Sequence, residues 1–147
     1  PLSEMAAKVA AVHGDLFPEK LPLLETVFSG LVDEITEHLI KEEQILFPIA
    51  IQMENAQKNG QSLPETHCGS VSNPIRVMIY EHDNAGSALG QIRDLTGDYH
   101  PPESACNTFR GLYYGLAELE KDLLQHIHLE NNILFPRITE LEKQLNR

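Results

Sequence analysis

The segment HLIKEEQILFP, residues 38–48, returns 88 residues later as HIHLENNILFP, residues 126–136. His, Glu, Ile, Leu, Phe and Pro keep register between the copies while the positions between them drift. Residues four apart in a helix lie one above the other, so His38 and Glu42 share a face, and so do His126 and Glu130. Apolar residues fall on those same faces: Leu24, Val27, Phe28, Leu31 and Ile35 before the first pair, with Ile45 and Ile49 after it. The second pair is preceded by Leu112, Leu116, Leu119 and Leu123 and followed by Ile133 and Leu134. Each polar pair therefore stands where a core should be. Two copies this far apart are too few for a solenoid and suit two corresponding helices facing each other about a pseudo-two-fold axis.

The rest of the chain reads as helix too. Leu2, Met5, Ala6, Val9 and Val12 make a short first helix that stops at His13-Gly14, where a left-handed glycine cap is expected. The second helix runs from about Pro22 to Asn55, and residues 57–74, rich in Gly, Ser, Asn and Pro, form a loop. Asn73 caps the third helix with Pro74 in its first turn. That helix carries Ile75, Met78, Ile79, His82, Ala85, Gly86, Leu89 and Ile92 on one face and ends near Thr96-Gly97; a fourth follows DYHPPES. Short connections at 14–21 and 97–103 predict antiparallel neighbours, and the expected fold is an all-α, up-and-down four-helix bundle.

With 147 residues the chain can bury one domain's core, roughly 70% of its unfolded surface. Its formal charge of −11, from 11 basic and 22 acidic residues, argues against nucleic acid as a partner. No apolar run approaches the ~18 residues of a membrane span. Cys68 and Cys106 form no paired pattern, which excludes a disulfide scaffold and a cysteine metal site and favours a reducing, cytoplasmic home.

An ionised carboxylate alone in an apolar core costs several kcal/mol, and two facing each other also repel. No Lys or Arg falls on the inward stripes of helices two to four, so the expected counter-charge is a metal. Imidazole and carboxylate without thiolate suit iron, manganese or zinc, and opposed carboxylates suit a bridged pair of ions. His82 adds a fifth candidate ligand to His38, Glu42, His126 and Glu130. Iron is favoured because neither a Cys-rich zinc pattern nor His-Glu-x-x-His occurs. A single His-x-x-x-Glu is more often a surface pair worth a few tenths of a kcal/mol; the duplicated context sets these apart. Phe47-Pro48 and Phe135-Pro136 read as packing, with proline kinking or ending the helix and Phe plugging the bundle. His128, His67 and His100 read as solvated or loop residues, and Glu43 and Glu81 as surface groups or supports for the ligands.

HLIKEEQILFP, EHDNAG at 81–86 and HIHLENNILFPR, with AAVHGD at 10–15 and ESACNTFRGLYYGL at 103–116, together resemble the hemerythrin-like domain of the iron-sulfur cluster repair, or Repair of Iron Centres, family. The resemblance spans essentially residues 1–147. It implies a non-haem di-iron centre bridged by Glu42, Glu130 and an oxo or hydroxo group, with His38, His82 and His126 as terminal ligands. It also implies a cytoplasmic stress-response role in repairing damaged iron-sulfur proteins, by supplying iron to acceptors or by handling nitric oxide; a homodimer is one assembly it allows. The alternative is an oxygen or nitric oxide sensor or carrier of the hemerythrin type. Two departures stand out. Oxygen carriers have a second histidine where this chain has Gly86, and their last helix spaces its carboxylate five residues after the histidine rather than four. The family also has a helix 1 histidine upstream of this sequence. His38 lies about 17 residues into helix 2, about 25 Å from the turn, and the same distance back from His13 passes Pro1. Helix 1 is therefore expected to be truncated at its N-terminus, together with any cysteine-bearing segment before it, and His13 to lie too far along to be a ligand.

Overall fold

The computed structural model describes residues 1–146, so the last position of the expected domain, Arg147, lies outside the described residues. Those residues form helices α1 Leu2–His13, α2 Leu21–Lys41, α3 Phe47–Lys58, α4 Ser72–Leu95, α5 Asn107–Leu129 and α6 Phe135–Leu145. Two five-residue π-helical turns, π1 Glu42–Leu46 and π2 Glu130–Leu134, join α2 to α3 and α5 to α6 without a break. Four continuous helical stretches result, as the periodicity predicts, with no strand among the described residues.

The π turns explain where the expected stripe fails. A proline ring clashes with the carbonyl four residues back and donates no hydrogen bond. Pro48 and Pro136 each follow a π turn by two residues, and the wider turn accommodates them: Phe47 N–H bonds the Glu42 carbonyl and Phe135 N–H that of Glu130. The helices continue past both prolines instead of ending. The extra residue also shifts the inward face along the chain. Ile45 and Ile133, expected inside, are 45% and 56% exposed, while Leu46 and Phe135 are buried in their stead.

Other local expectations need smaller corrections. Val12 and Ile79 face solvent, because Val9 and Met78 already fill the narrow inward stripe at their level. Gly14 is right-handed, at φ −57° and ψ −34°, and its N–H simply extends the helix by bonding Ala10. Asn73 does not cap α4; its amide donates to the Cys68 carbonyl, and the helix starts one residue earlier with Ser72 N–H bonded to Ser70 Oγ. Phe47 is only half-buried, so Phe135 alone fills the expected plugging role.

The chain divides into two compact units. The first comprises Pro1–Glu34 and Asn84–Leu124. Leu24, Phe28, Leu31, Leu89, Ile92, Phe109, Leu112 and Leu116 are among its buried apolar residues. Here α1 presses on α5 at Gly111, where an added Cβ would lie 3.0 Å from Met5, and at Gly115, where it would overlap Leu2. At the end of α4, Gly97, Asp98 and Tyr99 all have positive φ, a conformation that costs the two non-glycine residues energy. Arg93 bonds Asp98, and Thr96 Oγ1 accepts the Tyr99 N–H, so the turn is fixed from both sides.

The second unit comprises Ile35–Asp83 and the chain from Gln125 onward. Leu46, Ile49, Met53, Val71, Ile75, Met78, Phe135, Ile138 and Leu141 form its apolar core. All five residues singled out as candidate ligands lie in this unit.

Candidate metal centre

α2 and π1 supply His38 and Glu42, α4 supplies His82, and α5 and π2 supply His126 and Glu130. One nitrogen or oxygen from each of these five residues lies within 4.8 Å of every other. His38, Glu42, His82 and Glu130 are each less than 7% exposed, whereas the His126 side chain is 33% exposed. Within the cluster His38 Nε2 stands 2.8 Å from Glu42 Oε1, and His82 Nε2 stands 3.0 Å from Glu130 Oε2. His126 Nε2 lies between the carboxylates, 3.5 Å from Glu42 Oε1 and 3.4 Å from Glu130 Oε1.

The far side of two rings is fixed. His38 Nδ1–H donates to Glu81 Oε2 at 2.8 Å, and Glu81 is also bonded by Lys41. His82 Nδ1–H donates to Asn131 Oδ1 at 2.8 Å, and its ring lies nearly parallel to that of Phe135, 5.7 Å away. With both Nδ1 hydrogens engaged, each neutral ring turns its Nε2 lone pair inward. Those two Nε2 atoms face each other at 3.1 Å. Two lone pairs that close repel unless something positive lies between them.

Electrostatics point the same way. Burial opposes a charge on His38, but the Glu42 and Glu81 carboxylates outweigh it and raise the imidazole above its ordinary pKa. Burial pushes Glu42 up, yet the His38 and Glu130 side chains beside it and the nearby imidazoles hold it below the usual carboxylate value. Glu130 is raised by burial and by the neighbouring Glu42 charge. With the Nε2 atoms of His38 and His82 carrying lone pairs rather than hydrogens, Glu42 Oε1, Glu130 Oε2 and His126 Nε2 are buried with no donor to meet them. Hard oxygen and borderline imidazole donors that converge and lack partners fit a divalent first-row metal.

Outside the cluster, His128 is exposed and bonds Asn132, and Glu43 is exposed. His67 and His100 are exposed as well, and His13 lies in the first unit, 3.4 Å from Cys106 Sγ. Sequence reasoning left Glu81 between a surface group and a support, and the geometry gives it the supporting place. Asn131 was missed altogether. Its one signal is adjacency: Glu81 precedes His82 and Asn131 follows Glu130. No helix among the described residues is long and apolar enough to cross a membrane.

A profile of the Hemerythrin HHE cation binding domain matches residues 1–138. The iron-sulfur cluster repair protein YtfE of Yersinia pseudotuberculosis serotype O:1b is 45% identical over 133 residues, covering 90% of this chain and 54% of that protein. The YtfE protein of Yersinia pestis strain Pestoides F is 44% identical over 133 residues with the same coverage. The chain thus spans about half the length of the curated relatives it matches.

Proposed function

The chain belongs to the hemerythrin HHE cation-binding family, and we propose that it is the metal-holding part of an iron-sulfur cluster repair protein, binding two iron ions between Glu42 and Glu130. Its four helical stretches are those of a hemerythrin-like four-helix bundle. One observation carries the reading: donor atoms of His38, Glu42, His82, His126 and Glu130 converge within 4.8 Å of one another in a largely buried cluster that no Lys or Arg enters among the described residues. Two ions are preferred to one because the carboxylates are opposed and each stands close to a different imidazole.

In this reading Glu42 and Glu130 bridge the ions, and His38, His82 and His126 bind them terminally. When bound, iron supplies one-electron chemistry and a metal that can pass to an acceptor. The chain supplies the rest. Glu81 and Asn131 aim two imidazoles inward, Phe135 closes one side against water, and the raised His38 and Glu130 release protons as metal enters. Damaged iron-sulfur proteins are the proposed acceptors, nitric oxide or oxygen the proposed small-molecule reactants, and the cytoplasm the proposed location, in keeping with two free cysteines.

Full-length protein purified without oxygen should contain about two irons per chain, a ratio set by the bridged-pair reading. Its labelled iron should appear in a damaged cluster faster than the same preparation turns over nitric oxide. One zinc per chain, or no transfer of label, overturns the proposal.

A further inference from the structure

The two imidazoles that face each other across the cluster are held by chemically different groups. His38 donates its Nδ1–H to a carboxylate, Glu81, whereas His82 donates to a neutral amide, Asn131, at the same 2.8 Å distance. Lys41 bonds Glu81 as well, but its side chain is 38% exposed, so water screens much of its charge while it keeps Glu81 ionised. An imidazole that donates to a carboxylate is a more basic ligand through its other nitrogen than one that donates to an amide. The two rings approach different carboxylates, His38 standing 2.8 Å from Glu42 and His82 3.0 Å from Glu130. His126 does not offset the difference, because it stands nearly equidistant from both carboxylates.

We propose that Glu81 and Asn131 are positioning residues that make the two halves of the metal site unequal, so that the ion held by His38 is retained and the ion held by His82 is the one given up. The inference rests on the two-ion reading and sharpens it: one iron of the pair is cargo and the other stays. Transfer of the cargo ion needs no change in oxidation state. Ferrous iron leaves its imidazole and its share of the two carboxylates for the acceptor's ligands, and the protons those ligands release neutralise the vacated donors.

The test uses full-length protein loaded with ferrous iron-57 and an excess of a ferrous chelator under anaerobic conditions. Unaltered protein should lose iron in two phases of about one ion each, and its Mössbauer spectrum should contain two distinct doublets. Glu81→Gln keeps the shape and removes the charge, and it should speed the slow phase about tenfold while leaving the fast phase alone. Asn131→Asp adds the missing charge on the other side; it should slow the fast phase by a similar factor and draw the two doublets together. A merely structural role would not move the two phases in opposite directions. Iron content below about two per chain sinks the two-ion reading and this inference with it. Two irons leaving in a single phase, or Glu81→Gln acting on the fast phase, overturns the inference alone.

Discussion

Each of the two units buries a carboxylate, and they neutralise it in different ways. In the first unit Glu120, 7% exposed, is gripped by a fork from Arg93, with Nε 3.1 Å from Oε1 and Nη2 2.8 Å from Oε2. Both oxygens are satisfied by one planar, permanently charged group. In the second unit Glu42 and Glu130, 1% and 5% exposed, meet three imidazoles and no Lys or Arg among the described residues. Neither has a partner of fixed positive charge among the described residues. A chain able to place a guanidinium on one buried acid has left two others for a charge that can come and go. Glu120 is answered by the chain itself; on the proposed reading Glu42 and Glu130 are answered by metal.

The largest expected effect comes from removing the charges that await completion. Glu130→Gln should leave the melting temperature of metal-free protein unchanged or raised, since it relieves the repulsion from Glu42, whereas Glu42→Gln should lower it somewhat, because the neighbouring imidazoles favour that charge. In iron-loaded protein both should forfeit most of what the metal contributes, about 2.7 kcal/mol for an ion present at a hundred times its Kd. Calorimetric melts of the two forms settle the matter. Equal shifts with and without iron would abolish the contrast between the units.

The converse experiment works on the first unit. Arg93→Met should lower stability at pH 7 and leave iron content unchanged, because it strands a buried acid far from any role in metal binding. Replacing Glu120 by Met as well removes both charges and should restore most of the loss. Chemical denaturation of the single and double variants, alongside metal analysis, checks both halves. Iron loss in the single variant would mean that the units do not act separately.

Acid sharpens the comparison with a smaller effect. His38 is raised above its unfolded value, so in metal-free protein its share of stability is fully present below about pH 6.5 and fades as pH rises through the higher folded value. Loaded protein should behave oppositely. Metal must displace that proton, so iron affinity should fall about tenfold per pH unit once His38 titrates, and Glu130, also raised, steepens the fall lower down. Melting curves of both forms between pH 7.5 and about 5.5 should therefore converge, a window set by the upward shift of His38.

How much of this was legible depends on what kind of signal a residue leaves. His38, Glu42, His82, His126 and Glu130 were visible because each interrupts an apolar stripe, and a polar residue on such a stripe demands an explanation. Glu81 and Asn131 sit one place off the stripe beside ligands, and nothing in a single helix says which neighbouring ring they will reach. Arg93 was invisible for the same reason. Its head is largely exposed, and its long stem brings the guanidinium to Glu120 from a position that periodicity assigns to solvent. The π turns were missed because a proline in a helical pattern ordinarily signals a kink or an end. Only the backbone reveals that one extra residue per turn absorbs it and exchanges Ile45 for Leu46 at the core.

Glu142 offers a third way to keep a buried acid, and the smallest expected effect. It is 8% exposed, and its carboxylate accepts from the Val71 N–H at 2.8 Å and from Ser70 Oγ at 2.9 Å, just ahead of α4. Backbone donors and the positive end of a helix here stand in for both guanidinium and metal. Glu142→Gln keeps one accepting oxygen but loses the charge, so it should cost about 1 kcal/mol, similar with and without iron. Equality between the two forms is the informative part. Glu142 shares its unit with Glu42 and Glu130 but is satisfied by the chain itself. A loss confined to the loaded form would mean that the metal contribution spreads across the second unit and is not confined to the acids left without partners.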